Sequence, residues 1–159
     1  MIYVFLLSLA TEWITDTNTG KEYSLLEMST ATLDHDINHQ KCRDIGGHLP
    51  EPKDAAENAF LDVYSPHRFL LGIQRNVANQ RVYDSDQSNI TWVSWANWQQ
   101  HRGPFPWEDN NWHWDCVSTV RNRGIEYTGH RTQDWANNDC ASNAYIQSHP
   151  KSLICQKSG

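Results

Sequence analysis

Short runs of alternating apolar and polar residues dominate the chain, and only two stretches carry a helical period. Trp13-Ile14-Thr15 and Tyr23-Ser24-Leu25 alternate on either side of Asp16-Thr17-Asn18-Thr19-Gly20. Turn residues between two such runs predict an opening hairpin. Thr32 reads as an N-cap, and Leu33 to Ile45 predict a helix that stops at Gly46-Gly47. Its apolar positions Leu33, Ile37, Cys42 and Ile45 spread over about half the helix circumference, so its amphipathic signal is moderate. Pro50 and Pro52 open a second helix near Asp54, with Ala56, Phe60 and Val63 sharing one face.

Downstream the period changes from helical to extended. Phe69 to Ile73 is a short continuous apolar run of the kind found in buried strands. Trp92, Ser94, Ala96 and Trp98 alternate with Val93, Trp95 and Asn97, which predicts a strand whose two faces meet different environments. Cys116 to Val120 and Gly124 to Tyr127 alternate again, and Leu153-Ile154-Cys155 closes the chain as a last strand. Two early helices followed by many short strands imply an α+β domain, with helices segregated from antiparallel sheet.

Between these strands, Gln99 to Asp115 has no period and contains two prolines, a glycine and paired asparagines, so it reads as a long irregular loop. Seven of the eight tryptophans fall between Asn89 and Cys140, mixed with acids and amides. That mixture suits an exposed binding surface. Trp95, Trp98 and Trp135 are expected to fill the core, whereas Trp107, Trp112 and Trp114 lie on a loop too irregular to bury them all. Flat indoles present an apolar face against which a pyranose ring can stack, while neighbouring Asn, Asp and Glu accept its hydroxyl hydrogen bonds. The same surface would also serve as a protein hot spot.

Charge and size narrow the classes. At 159 residues the chain has the length of one domain, and its formal net charge of −6 comes with no basic run. Nucleic-acid backbones and anionic membranes are therefore disfavoured as partners. Beyond the apolar residues 1–10, no segment approaches the length of a membrane span. Residues 1–10 read as a truncated secretory signal ahead of a domain over 11–159, with an apolar first strand as the alternative. Four cysteines fit two disulfides in an oxidising compartment, and sequence alone leaves three pairings open. Asn89-Ile90-Thr91 is an N-glycosylation sequon.

Catalytic motifs are absent: there is no nucleophile elbow, no phosphate-binding glycine loop and no carboxylate pair placed across a cleft. His35 and His39 stand at i, i+4 on the first predicted helix, a spacing that can hold a metal. Without a third ligand or an adjacent Glu to complete a zincin motif, they read as solvated surface histidines.

The ordered set of motifs resembles a C-type lectin-like domain over about Trp13 to Lys157. It comprises K-C-R-D-I-G-G-H-L-P at 41–50, A-A-E-N-A-F-L at 55–61, L-L-G-I at 70–73, W-A-N-W at 95–98, D-C-V at 115–117, D-W followed by Cys140 at 134–140, and I-C-Q-K at 154–157. The resemblance implies two helices with two small antiparallel sheets and a long irregular loop. It also implies disulfides Cys42–Cys155 and Cys116–Cys140.

In that family a sugar usually binds through calcium, a hard ion needing six to eight converging oxygens. This chain departs from the ligand pattern. Pro106 is flanked by Phe105 and Trp107, which have no oxygen to give; Trp114 precedes Asp115 where the family has Glu; and Ala136-Asn137 follows Trp135 where it has Asn-Asp. A nonstandard calcium site would have to draw on Glu108, Asp109, Asn110 and Asn111 with Asn137, Asn138 and Asp139. The expected function is a secreted, non-enzymatic module that binds carbohydrate or a glycoprotein through Trp107, Glu108, Asn110, Trp112, Asp115 and Asn137. The alternative is a calcium-independent protein-binding module.

Overall fold

The computed structural model describes residues 11–26, 34–65, 67–76, 78, 80–94, 116–119, 135–138, 140 and 152–158. The opening hairpin forms as expected from β1 (Ile14–Thr15) and β2 (Glu22–Leu26). Asp16 turns the chain between them. Its Oδ1 accepts from the Asn18 amide at 3.0 Å, its Oδ2 from the Thr19 hydroxyl at 3.0 Å, and its carbonyl from Gly20 N–H at 2.7 Å. Gly20 sits at φ 72°, a left-handed conformation that favours glycine.

Helix α1 (His35–Asp44) begins later than expected, because its cap is Asp34 and not Thr32. Asp34 has extended backbone and its carboxylate accepts from Ile37 N–H at 3.1 Å, a cap that an acid provides more strongly than threonine. At the other end Gly46 adopts φ 87° and donates to the Arg43 carbonyl at 3.0 Å, stopping the helix where the glycine pair predicts. The buried residues of α1 are His35, Asn38, His39 and Cys42, whereas Ile37 is half exposed. Of the expected apolar positions, Cys42 and Ile45 pack inward and Ile37 does not, while Leu33 lies outside the described residues.

Helix α2 (Ala55–Tyr64) is capped reciprocally: Asp54 accepts from Glu57 N–H at 2.9 Å and Glu57 from Lys53 N–H at 2.6 Å. Its inward face is Glu57, Asn58 and Leu61. The face expected from Ala56, Phe60 and Val63 is met only at Phe60, which packs against the core; Ala56 is exposed and Val63 is 86% exposed. Two polar anchors rotate the helix. Glu57 pairs with Lys21 and Asn58 accepts from Trp135 Nε1, which turns the face around Leu61 inward.

The strands build two four-stranded antiparallel sheets. In the first, β3 (Gly47–His48) and β8 (Leu153–Lys157) complete the order β1-β2-β8-β3, so the first and last segments of the fold lie side by side, Tyr23 opposite Gln156 and Leu26 opposite Leu153. In the second, β4 (Leu70–Arg75), β5 (Arg81–Tyr83), β6 (Cys116–Thr119) and β7 (Trp135–Asn138) run in the order β5-β4-β6-β7. The strand expected from Trp92 onward is not formed over Trp92–Ser94, where a backbone bond from Trp135 N–H to the Ser94 carbonyl at 2.7 Å makes the contact instead. The alternating runs at 95–98 and 124–127, and residues 1–10, lie outside the described residues.

Tyr23, Leu61, Phe69, Leu71, Ile73, Tyr83, Val117, Trp135 and Ile154 form the main core between the sheets and α2. Each such aliphatic side chain contributes about 1.5–3 kcal/mol by leaving water. A smaller cluster of Leu49, Leu70 and Leu153 surrounds Cys42 and Cys155. The disulfides are Cys42–Cys155 and Cys116–Cys140, the pairing that the resemblance implies. Among the described residues no helix is long and apolar enough to cross a membrane.

Candidate functional site

The inward face of α1 places His35 and His39 one turn apart, their rings meeting edge to face with centroids 5.4 Å apart. Both are buried, which corrects their reading as solvated histidines: the side chains are 3% and 10% exposed. The missing third group arrives from the turn after β5. Asp84 N–H donates to the Gly72 carbonyl at 2.9 Å, and this bond directs its carboxylate beneath the helix. His35 Nε2 lies 2.7 Å from Asp84 Oδ2, and His39 Nδ1 lies 3.6 Å from the same oxygen. Sequence offered half of this cluster, since i, i+4 histidines were visible, but nothing tied them to an aspartate 49 residues from His35.

Around this trio the side chains remain polar. His35 Nδ1 stands 3.3 Å from Asp36 Oδ1 and 2.7 Å from the side-chain amide of Gln74. Ser85, next to Asp84, donates its hydroxyl to Glu51 Oε1 at 2.6 Å and its backbone N–H to Oε2 at 2.9 Å. His48 donates from Nδ1 to the Leu49 carbonyl at 2.7 Å and lies 3.5 Å from Glu51 Oε2. His48, Glu51 and Ser85 also line a polar cleft of about 360 Å³, shared with Lys21, Lys53 and Lys157.

Burial and charge set the two helix histidines apart. Burial lowers the proton affinity of His35, but its hydrogen bond to Asp84 and the charges of Asp84 and Asp36 more than offset this, so its pKa rises. His39 moves the other way. Burial dominates, the Asp84 charge only partly opposes it, and Arg43, His35 and His48 add repulsion, so its pKa falls. Burial likewise pushes Glu51 up, against the hydrogen bonds from Ser85 and the charge of His48.

Of the residues expected to bind ligand, Trp107, Glu108, Asn110, Trp112 and Asp115 lie outside the described residues. Asn137 is on β7, its backbone opposite Val117. Asn89 and Thr91 of the sequon are exposed, Asn89 bridging to Val82 at the edge of β5. Trp135 is fully buried, as expected, with Trp92 against it edge to face at 5.3 Å; Trp95 and Trp98 lie outside the described residues. Of the donors from which a nonstandard calcium site would draw, Glu108, Asp109, Asn110, Asn111 and Asp139 lie outside the described residues, and only the backbone of Asn137 and Asn138 is described. Among the described residues the one cluster with metal-ligand geometry is a different one, His35, His39 and Asp84, with two imidazole nitrogens and one carboxylate in place of the oxygen shell that calcium requires.

No family model and no curated protein sequence matches the chain. Its fold, however, is that of solved carbohydrate-recognition structures. The C-type carbohydrate-recognition domain of cow CD23, determined in the presence of a GlcNAc2Man3 oligosaccharide, aligns with a TM-score of 0.63 at 15% identity over 92% of this chain and 93% of its own. The C-type lectin domain of murine dendritic cell inhibitory receptor 2, in complex with N-glycan, aligns with a TM-score of 0.61 at 20% identity over 92% and 96%. The carbohydrate-recognition domain of mouse scavenger receptor C-type lectin aligns with a TM-score of 0.59 at 16% identity over 92% and 95%.

Proposed function

We propose that this chain, whose fold is that of the C-type lectin-like domains, is a secreted recognition module that binds carbohydrate through the segment leading into Cys116. The observation that carries this reading is the composition of that segment. Trp107 and Trp112 supply aromatic faces, and Glu108, Asn110 and Asp115 supply acceptors and amides, directly before a cysteine fixed by Cys116–Cys140 to the strand pair β6–β7. Binding then rests on an indole stacked against a pyranose ring, with the carboxylates, Asn110 and Asn137 taking its hydroxyls. No covalent step is involved, and the activity is recognition, not turnover. One fold relative solved in complex with N-glycan, and another solved in the presence of an oligosaccharide, support the ligand class.

Loss of the usual calcium-ligand pattern at Phe105, Trp107, Trp114 and Ala136 favours a second reading, calcium-independent recognition of a protein surface by the same tryptophans. Binding of the oxidised chain to an immobilised glycan panel, in calcium and in chelator, separates them. Retention on glycans that survives chelation and falls at least about tenfold in Trp107→Ala or Trp112→Ala supports stacking. Retention that vanishes with chelator and with Asp115→Asn points to a rebuilt calcium site, and retention only on deglycosylated protein supports the second reading. Secretion is supported by the two disulfides and the exposed sequon. A glycosylating host should export the chain with one added glycan that Asn89→Gln removes.

A further inference from the structure

We propose that His35, His39 and Asp84 form a buried site for one divalent transition-metal ion of the zinc class, stapling α1 to the turn after β5. One nitrogen from each histidine and one carboxylate oxygen lie within 4.8 Å of one another. In a tetrahedral zinc site with bonds of roughly 2.0–2.1 Å, neighbouring ligand atoms are about 3.3 Å apart. The separations of Asp84 Oδ2 from His35 Nε2, 2.7 Å, and from His39 Nδ1, 3.6 Å, fall on either side of that spacing. An ion therefore needs only sub-ångström adjustments of the two carboxylate–imidazole separations, and the two imidazole nitrogens lie within 4.8 Å of one another.

A simple ion pair accounts for part of this arrangement and leaves the rest unexplained. Asp84 needs one histidine to balance its charge, and His35 provides it at hydrogen-bond distance. The second imidazole, His39, is also buried against the same oxygen but at a distance too long for a hydrogen bond. A shared ion gives that nitrogen a partner. The surroundings also match a metal site: Asp36 Oδ1 lies 3.3 Å from the far nitrogen of His35, the outer carboxylate that commonly orients a ligating imidazole.

Both ligand-bearing backbones are held in advance. His35 N–H donates to the Cys140 carbonyl at 2.8 Å, Cys42 ties α1 to β8, and Asp84 N–H is bound to Gly72. With His35 and Asp84 each 3% exposed and His39 10%, the three ligands are shielded from bulk solvent, and the fourth position would fall to water. Two nitrogen donors and one carboxylate select zinc or a neighbouring transition ion over calcium or magnesium. Through the Cys140 contact and through Gln74, which lies opposite Cys116, the ion would brace the disulfide next to the recognition segment.

The test uses the full oxidised chain, stripped by chelator and titrated with zinc, with calcium as control, while heat uptake and melting temperature are followed. One equivalent bound, a higher melting temperature with zinc and none with calcium are expected. His39→Gln, which leaves the His35–Asp84 pair intact, should weaken binding by more than the roughly 10- to 100-fold lost with an outer-shell partner. Cobalt should give an intense visible absorption of tetrahedral type in the wild-type chain, a readout that stands even if a variant fails to fold. No uptake, a weak octahedral cobalt spectrum, or zinc affinity unchanged in both His39→Gln and Asp84→Asn would overturn the proposal.

Discussion

Trp135 Nε1 donates to Asn58 Oδ1 at 2.9 Å inside the core, and this bond fixes α2 against β7. An amide facing inward from a helix is costly unless it finds a partner, and an indole N–H is equally so. Asn58→Leu removes this acceptor and keeps the volume similar. It should lower the unfolding free energy by about 1–3 kcal/mol. Urea denaturation followed by tryptophan fluorescence reads this directly, and an unchanged midpoint would show that the bond adds nothing net.

Gly72 lies where two backbones nearly touch. A Cβ there would stand 2.7 Å from the Leu49 carbonyl oxygen and 3.0 Å from Glu51 Cγ. The oxygen belongs to main chain that also accepts, one residue later, from Gly72 N–H at 2.7 Å, so it cannot swing aside. Gly72→Ala is expected to destabilise the domain by about 1–3 kcal/mol through overpacking, measured as a fall in melting temperature. A melting temperature equal to that of the wild type would show that the two segments part freely.

Tyr23 is fully buried, and among the described residues its hydroxyl has no hydrogen-bond partner. Burial, with the nearby charges of Glu57, Asp16 and Asp54, pushes its pKa far above the usual tyrosine range, and burial raises Tyr64 as well. The folded state therefore keeps protons that the unfolded chain releases. That contribution to stability is complete below the ordinary tyrosine pKa near 10 and declines as pH rises above it. Tyr23→Phe removes a buried unpaired hydroxyl and should leave the domain as stable or about 1 kcal/mol more stable at neutral pH, with a shallower alkaline decline. Denaturation series at pH 8 to 11 would contradict this if the variant lost stability at the lower end.

The two disulfides close chain segments of very different length, with sequence separations of 113 and 24. On the loop-entropy account the longer one constrains the unfolded chain more, by roughly 1 kcal/mol. Cys42→Ala with Cys155→Ala should therefore cost more stability than Cys116→Ala with Cys140→Ala, each pair compared by denaturant midpoint. The reverse order would mean that local packing around Cys116–Cys140 outweighs chain entropy.

Turn chemistry and caps made the frame of the fold legible. Gly20, Gly46, Asp54 and the apolar run at Phe69 act through local rules that need no tertiary knowledge, and the elements they mark are where they were expected. The faces of the helices were only partly legible, because hydrophobicity was the guide and these faces mix Cys42, Ile45, Phe60 and Leu61 with polar side chains. His35, Asn38, His39 and Cys42 follow i, i+3, i+4, i+7, the spacing of a packed stripe. Cys42, a cysteine paired across the core, was the clue that its companions also point inward. On α2 the inward positions are Glu57 and Asn58, each held by a partner distant in sequence. Asp84 is set by a strand contact to Gly72, and no period in the chain announces it.

The pairing of β1, β2 and β8 has a mechanical consequence. Ile14 lies opposite Tyr23, and Tyr23 opposite Gln156, so chain entry and exit are separated by two strand spacings, roughly 10 Å. Just inside this point Cys42 is joined covalently to Cys155. Tension applied across the two ends would run along β1, β2 and α1 as far as Cys42, cross the bond, and leave through the last residues of β8. The residues between Cys42 and Cys155, including Asp84 and the recognition segment, would hang beside this covalent path, whereas His35 and His39, which precede Cys42 on α1, lie on it.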